Sequence, residues 1–260
     1  MEFPYRIIDL SHPLQPGMPV WPGDPPLAIT PAAGLDREGY YLNRLTLGEH
    51  TGTHAGAPAH YLAGGPAMDA IPVADLVAPL FTIAVPLQGD ALLEPADVAE
   101  WEARFGPLPP GCAVVVATGW SRHWSDEARY LGRAADTSLH FPGISPAAMG
   151  LIAGVRGARI VGIDSPGLDG GLSADYAAGK LLARRGGLHL ENLTALELLP
   201  PFGAWLVAGL LPIAGGSGSP ARVLALVPRA CCAPPSHKKS PSGSRRKGFF
   251  MTSRSRHEKR

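Results

Sequence analysis

Cysteine is scarce in this chain: Cys112, Cys231 and Cys232 are the only three in 260 residues. Two of them are adjacent, a pairing that rarely bridges, and Cys112 falls in an apolar run. A disulfide framework is therefore excluded, and a reduced, cytoplasmic protein is the simplest expectation. Charge is also sparse, at 17% of residues. No apolar run reaches the roughly 18 residues that crossing a bilayer requires, and no basic start followed by an apolar core marks a signal peptide. The stretch Trp205 to Ala214 is interrupted by Gly209 and Pro212 and reads as part of a buried strand pair. Familiar catalytic signatures are missing too. No Gly-x-Ser-x-Gly follows a strand and opens a helix, so there is no nucleophile elbow. Neither a Gly-x-Gly-x-x-Gly leading into a helix nor a phosphate-binding loop occurs, which removes the nucleotide-binding classes. The chain has no internal repeat.

The net charge of +1 hides an asymmetry, with −8 over residues 1–228 and +9 over residues 229–260. The final segment is rich in Pro, Ser, Lys and Arg, a composition that cannot bury enough surface to offset its ordering entropy. It is expected to be a disordered basic tail following one domain at 5–228. Basic tails bind nucleic acid or acidic membranes in some proteins, but no aromatic spacing or folded module accompanies this one, so neither partner is expected.

Within the body, strand-like runs come at 5–11, 41–47, 80–87, 112–117, 159–163 and 188–190, with two more inside 204–227. Helical patterns fall at 71–77, 94–105, 145–155 and 173–185, two of them opening on Glu94-Pro95 and Ser145-Pro146. Strands alternating with helices indicate an α/β domain. Residues 12–26 carry too much proline for a helix or a central strand. A loop of this length bearing Trp21 lines a site or a subunit contact, or else meanders over the surface.

The densest chemistry lies in Glu49-His50-Thr51-Gly52-Thr53-His54-Ala55-Gly56-Ala57-Pro58-Ala59-His60, where three of nine histidines recur at spacings of four and six. Imidazole is a common ligand for zinc, copper, nickel and iron, and the interspersed Gly and Pro allow a turn that aims several rings at one centre. The stretch reads as a strand end running into a loop, and as a metal or acid–base site. Three other polar clusters follow apolar runs: Thr118-Gly-Trp120-Ser121, Asp164-Ser-Pro-Gly-Leu-Asp169 and His189-Leu-Glu191-Asn192. Asp169 reads as a turn residue bonded to its own backbone, and for Asp164 that reading stands beside a functional one. On a strand, His189 and Glu191 share a face. His12, His123 and His140 are isolated.

These residues resemble the cyclase, or bacterial-type kynurenine formamidase, family of metal-dependent hydrolases, whose motif is His-x-Gly-Thr-His-x-Asp-x-Pro-x-His. Further pieces of the likeness are Asp9-Leu-Ser-His12, Trp21-Pro-Gly-Asp24, Glu191-Asn-Leu-Thr194 and Gly215-Gly-Ser-Gly-Ser-Pro-Ala-Arg222. The resemblance implies a swivelling β/β/α-type single domain with a mixed sheet, assembled as a homodimer or higher oligomer. It implies hydrolysis of a small amide such as N-formyl-kynurenine, in tryptophan catabolism. By the same likeness His50 and His54 match metal ligands, Glu191 matches a ligand shared by two metals, His60 matches the general acid/base, and Trp21 is the candidate substrate contact. Two positions depart: Gly56 stands where the family has its metal-bridging Asp, and Gly179 where it has a later His. Glycine supplies no side-chain ligand, so a second metal site is not expected. His50, His54 and Glu191 remain, a two-His, one-carboxylate set suited to one divalent cation, zinc first and manganese second. His189 is positioned to swing in as a substitute ligand, although such a residue more often belongs to a core or surface. The contrasting expectation is an inactive relative that binds a small aromatic ligand or a protein partner.

Overall fold

Ala113 to Val116 are all buried, as befits a strand covered on both faces rather than one that alternates in and out of water. In the computed structural model, which describes residues 3–229, that run lies inside an eight-stranded mixed sheet. The basic tail, with Cys231 and Cys232, lies outside the described residues apart from Arg229. In chain order the strands are β1 (Tyr5–Asp9), β2 (Ala28–Ala33), β3 (Leu42–Thr46), β4 (His54–Gly56), β5 (Val77–Ala84), β6 (Leu92–Leu93), β7 (Ala113–Ala117), β8 (Gly143–Ile144), β9 (Ile160–Ile163), β10 (Leu188–Glu191), β11 (Ala204–Leu210) and β12 (Gly218–Pro228). The α-helices are α1 (Leu35–Glu38), α2 (Pro95–Phe105), α3 (Glu127–Leu131), α4 (Pro146–Met149) and α5 (Ala177–Arg184).

The sheet runs β1-β12-β11-β5-β7-β9-β10-β4, and β4 pairs back onto β12, so that the sheet closes into a barrel. Strands β5, β7, β9 and β10 are mutually parallel and the remaining pairings are antiparallel. The sheet separates two large apolar cores, and a smaller third cluster gathers Trp120, Tyr130, Leu131, Leu139 and Phe141. Ala113, Val115, Leu190, Leu206 and Ala225 belong to one cluster. Cys112, Val114, Val116 and Ile163 face the other, with Val98 and Trp101 of α2, Met149 of α4 and Leu182 of α5. Odd and even positions of β7 thus serve different cores, as the period of two requires. Among the described residues no helix is long and apolar enough to cross a membrane.

Several expected elements shift. The helix expected at 71–77 is a 3-10 turn at Val73–Leu76, and Val77 already pairs with Val207 in the sheet. The pattern at 145–155 begins as α4, with Ser145 Oγ accepting from Ala148 N at 3.1 Å, but continues as a π-helical turn at Gly150–Val155. The histidine stretch is not simply a loop. His54–Gly56 form β4, and Pro58–His60 form a 3-10 turn. Strand β3, which precedes the stretch, pairs only with β2 in a separate hairpin.

Candidate functional site

Strand register builds the site. In the antiparallel pairing of β4 with β10, His54 stands opposite Glu191 and Gly56 opposite His189. The alternation that puts His189 and Glu191 on one face therefore brings His54 to the same face. His54 Nδ1 lies 2.9 Å from the Gly52 carbonyl. A carbonyl only accepts, so Nδ1 carries the proton and Nε2 is left to point inward. That Nε2 sits 3.1 Å from Glu191 Oε2. Two lone-pair atoms so close call for a proton or a cation between them.

His50 reaches the same centre from the preceding turn. Its Nε2 lies 3.1 Å from Ser217 Oγ, and that hydroxyl donates to Glu49 Oε2 at 2.6 Å. Because the hydroxyl proton is already committed, His50 Nε2 is the donor and Nδ1 holds the lone pair. His50, His54 and His189 each offer a ligand atom, and the three atoms lie within 4.8 Å of one another. The Nε2 atoms of His54 and His189 are buried without a hydrogen-bond partner, a costly state for polar atoms unless a ligand completes them. Buried imidazole nitrogens converging beside a buried carboxylate fit a divalent metal.

Electrostatics agree with that donor set. Burial lowers the pKa of His50 to about 2, and the neighbouring His54, His60 and His189 add to the effect. Burial likewise takes His189 down to about 4. For Glu191, burial acts upward, but His189 and His54 and the Leu168 amide outweigh it and leave the carboxyl at about 2. Burial thus favours neutral imidazoles at His50 and His189, and the Leu168 amide that donates to Glu191 Oε1 at 2.9 Å favours its carboxylate, the forms that bind cations.

His50, His54 and Glu191 line a cavity of about 670 Å³, with Trp21, Tyr61, Tyr130, Leu139, Leu168 and Tyr176 among its walls. His60 opens onto this cavity, its ring centroid 4.1 Å from that of His50. Burial lowers its pKa. Trp21 also faces the cavity, packed edge-on to Phe141 with centroids 6.0 Å apart. His12, His123 and His140 stay out of the cluster. His12 stacks on Trp124 at 4.0 Å, His123 lies beside Arg122, and His140 bonds Ser138 and Asp90.

Neither Asp164 nor Asp169, the second of which was expected to hold its own turn, bonds in that way. Asp164 accepts from Thr118 Oγ1 at 2.6 Å, Thr118 N at 3.0 Å and Gly119 N at 2.8 Å, joining two of the polar clusters. Asp169 accepts from Ala178 N at 2.8 Å and Gly179 N at 2.9 Å, which completes orphan amides in the first turn of α5. Sequence reasoning passed over Tyr61, Tyr130 and Ser217. Tyr130 OH donates to Asn192 Oδ1 at 2.8 Å, and Asn192 Nδ2 donates to Gly52 O at 2.8 Å, so these two residues brace the turn that holds His54. Glu49, next to His50, was the available signal for Ser217.

Neither departing glycine faces empty space. A Cβ on Gly56 would lie 1.9 Å from Cε1 of His189, and one on Gly179 would lie 2.6 Å from Cε2 of Tyr61.

Known proteins decide the lineage. The Cyclase family model matches residues 8–170. The chain belongs to the cyclase family. It is 34% identical over 246 residues to an isatin hydrolase of Roseibium aggregatum, covering 86% of this chain and 93% of that protein. It is 30% identical over 225 residues to a kynurenine formamidase of Polaromonas naphthalenivorans, covering 84% and 90%. A crystal structure of an isatin hydrolase bound to the product analogue thioisatinate matches with a TM-score of 0.82 and 31% identity, over 87% of this chain and 94% of that one. Membership of the cyclase family makes this chain a hydrolase by lineage.

Proposed function

We propose that this cyclase-family chain is a one-metal amidohydrolase that cuts the bond between an aryl nitrogen and a carbonyl, as in N-formyl-kynurenine or a fused aryl lactam. The observation that carries the reading is the meeting of the His50, His54 and His189 donor atoms within 4.8 Å of one another, with His50 and His54 facing an aromatic-walled cavity. His50, His54 and Glu191 hold the cation, zinc or manganese. Such a cation polarises a carbonyl and lowers the pKa of water from about 15.7 towards ~7.

The chain's own groups do the rest. Trp21 and the tyrosine walls hold the aryl ring and exclude bulk water. His60, neutral and open to the cavity, takes a proton from water as its oxygen adds to the carbonyl carbon. The same imidazole then gives the proton to the aryl nitrogen as the C–N bond breaks. The products are an aryl amine and a carboxylic acid, formic acid in the formamide case. In this scheme Glu191 supplies the negative charge that offsets the cation.

Elemental analysis of the purified protein, with hydrolysis of N-formyl-kynurenine and isatin assayed with and without added zinc or manganese, tests the reading. Metal uptake with metal-dependent turnover supports it. Absence of both would leave the inactive, ligand-binding relative as the better description.

A further inference from the structure

Of all the described glycines, Gly56 is where an added Cβ would approach another atom most closely: 1.9 Å from Cε1, 2.0 Å from Nε2 and 2.8 Å from Nδ1 of His189. His189 has little room to yield. It is 3% exposed, with the rings of Tyr61 and His50 at 5.5 and 6.1 Å between centroids. Its Nε2 is buried and unpartnered, and one of its nitrogens falls within the three-imidazole cluster. An imidazole is therefore threaded into the volume that any side chain at residue 56 would need, and one of its nitrogens lies among the donors.

The geometry points to His189 as a direct metal ligand whose place depends on residue 56 having no side chain. This rests on the metal-dependent reading above. Three imidazole nitrogens beside one carboxylate make a nitrogen-rich centre, which favours zinc or cobalt(II) over manganese. Next to His189, Tyr61 fills the space beside Gly179, with its ring 2.6 Å from where a Cβ would be. A ring thus occupies the volume that a further ligand-bearing side chain would need, and the centre takes one cation.

Cobalt(II) titration of the metal-stripped protein, read by visible absorption and elemental analysis, tests the assignment, with circular dichroism as the control for folding. One equivalent of cobalt is expected in the parent protein. His189→Ala should weaken it by more than about tenfold, since even partners outside the ligand set cost 10–100-fold. Gly56→Ala, which removes no donor, should weaken it comparably, and combining the two should add no further loss. Gly56→Asp with His189→Ala relieves the clash and returns an oxygen donor, so it should regain a cation with the preference moved towards manganese. Cobalt bound by His189→Ala with parental affinity and spectrum would overturn the assignment while leaving the metal-dependent reading intact, as would a silent Gly56→Ala. Failure of the parent protein to bind any metal would overturn both. If Gly56→Ala does not fold, His189→Ala and the double variant decide, because neither contains the clash.

Discussion

The histidine cluster has a strand wall, β4, and a helix wall, α5, and each contains a glycine at a position where relatives are expected to place a ligand. On the strand wall the space beside Gly56 holds His189, one of whose nitrogens lies within 4.8 Å of donor atoms of His50 and His54. On the helix wall the space beside Gly179 holds Tyr61, an uncharged ring. On the assignment proposed above, the two glycines have opposite chemical results. One makes room for a donor, and the other for bulk. A site is better judged by what occupies a vacated volume than by which motif positions survive.

The contrast can be broken in order of expected effect. Removing a ligand from the strand wall should be most severe. His54→Ala should lower metal affinity by more than about 100-fold, beyond the loss from outer partners, as measured by competition with a chromogenic chelator. His60→Ala should leave metal content unchanged and lower kcat by about 10²–10⁴-fold, the usual range for a lost acid–base group. Steady-state kinetics on N-formyl-kynurenine would show it. If His60→Ala also strips the metal, the division between ligand and proton carrier fails.

The glycines themselves come next. Gly56→Ala should cost about 1–3 kcal/mol of stability through overpacking. Gly179→Ala should cost less, because Tyr61 can shift its ring towards the cavity and Ala gains roughly 0.5–1 kcal/mol over Gly within a helix. Urea denaturation measures both, and the reverse ranking would sink the comparison. Asp169→Ala should cost about 1 kcal/mol, the usual loss of a helix N-terminal acceptor, and should lower Tm without changing metal content.

The smallest effect is a control at Cys112, which is fully buried between β7 and the helices. Burial pushes its thiol up to about 11. The unfolded chain therefore releases this proton first as pH rises above the ordinary value of about 8.5. The thiol's contribution to stability is intact below that pH and declines as pH climbs towards 11. Alkylation of Cys112, located by peptide mass mapping, should stay negligible at pH 8 in every folded variant. Rapid labelling in Gly56→Ala alone would show that its damage extends beyond the site.

Much of this architecture was legible in the chain. Long apolar runs such as 112–117 and 159–163 marked the parallel strands, because strands buried on both faces have no polar alternation to obscure them. Ser145-Pro146 marked a helix start for the local reason that Ser145 caps it. What escaped notice depends on contacts far apart in sequence. His54–Gly56 is too short to show strand character and exists because β10 and β12 flank it. Asp169 was assigned to its own turn, but its partners lie nine and ten residues further on. His189 could be marked as a substitute ligand from the face it shares with Glu191, but nothing local reveals that the residue opposite it is bare. Tyr61 lacked a signal of its own until Gly179 was seen to lie beneath it.

A three-residue strand closes this barrel, and His54 is its first residue. Residues of β4 pair with Glu191, Leu190 and His189 on one side and with Pro220, Ser219 and Gly218 on the other. An ion held through His54 and the β10 side chains would therefore latch the seam as well as serve the reaction. Binding confined to the closed form raises the free energy of opening it. The amide of Ala55 should then act as an occupancy gauge, exchanging with solvent deuterium more slowly as the centre fills, whether or not any substrate is turned over.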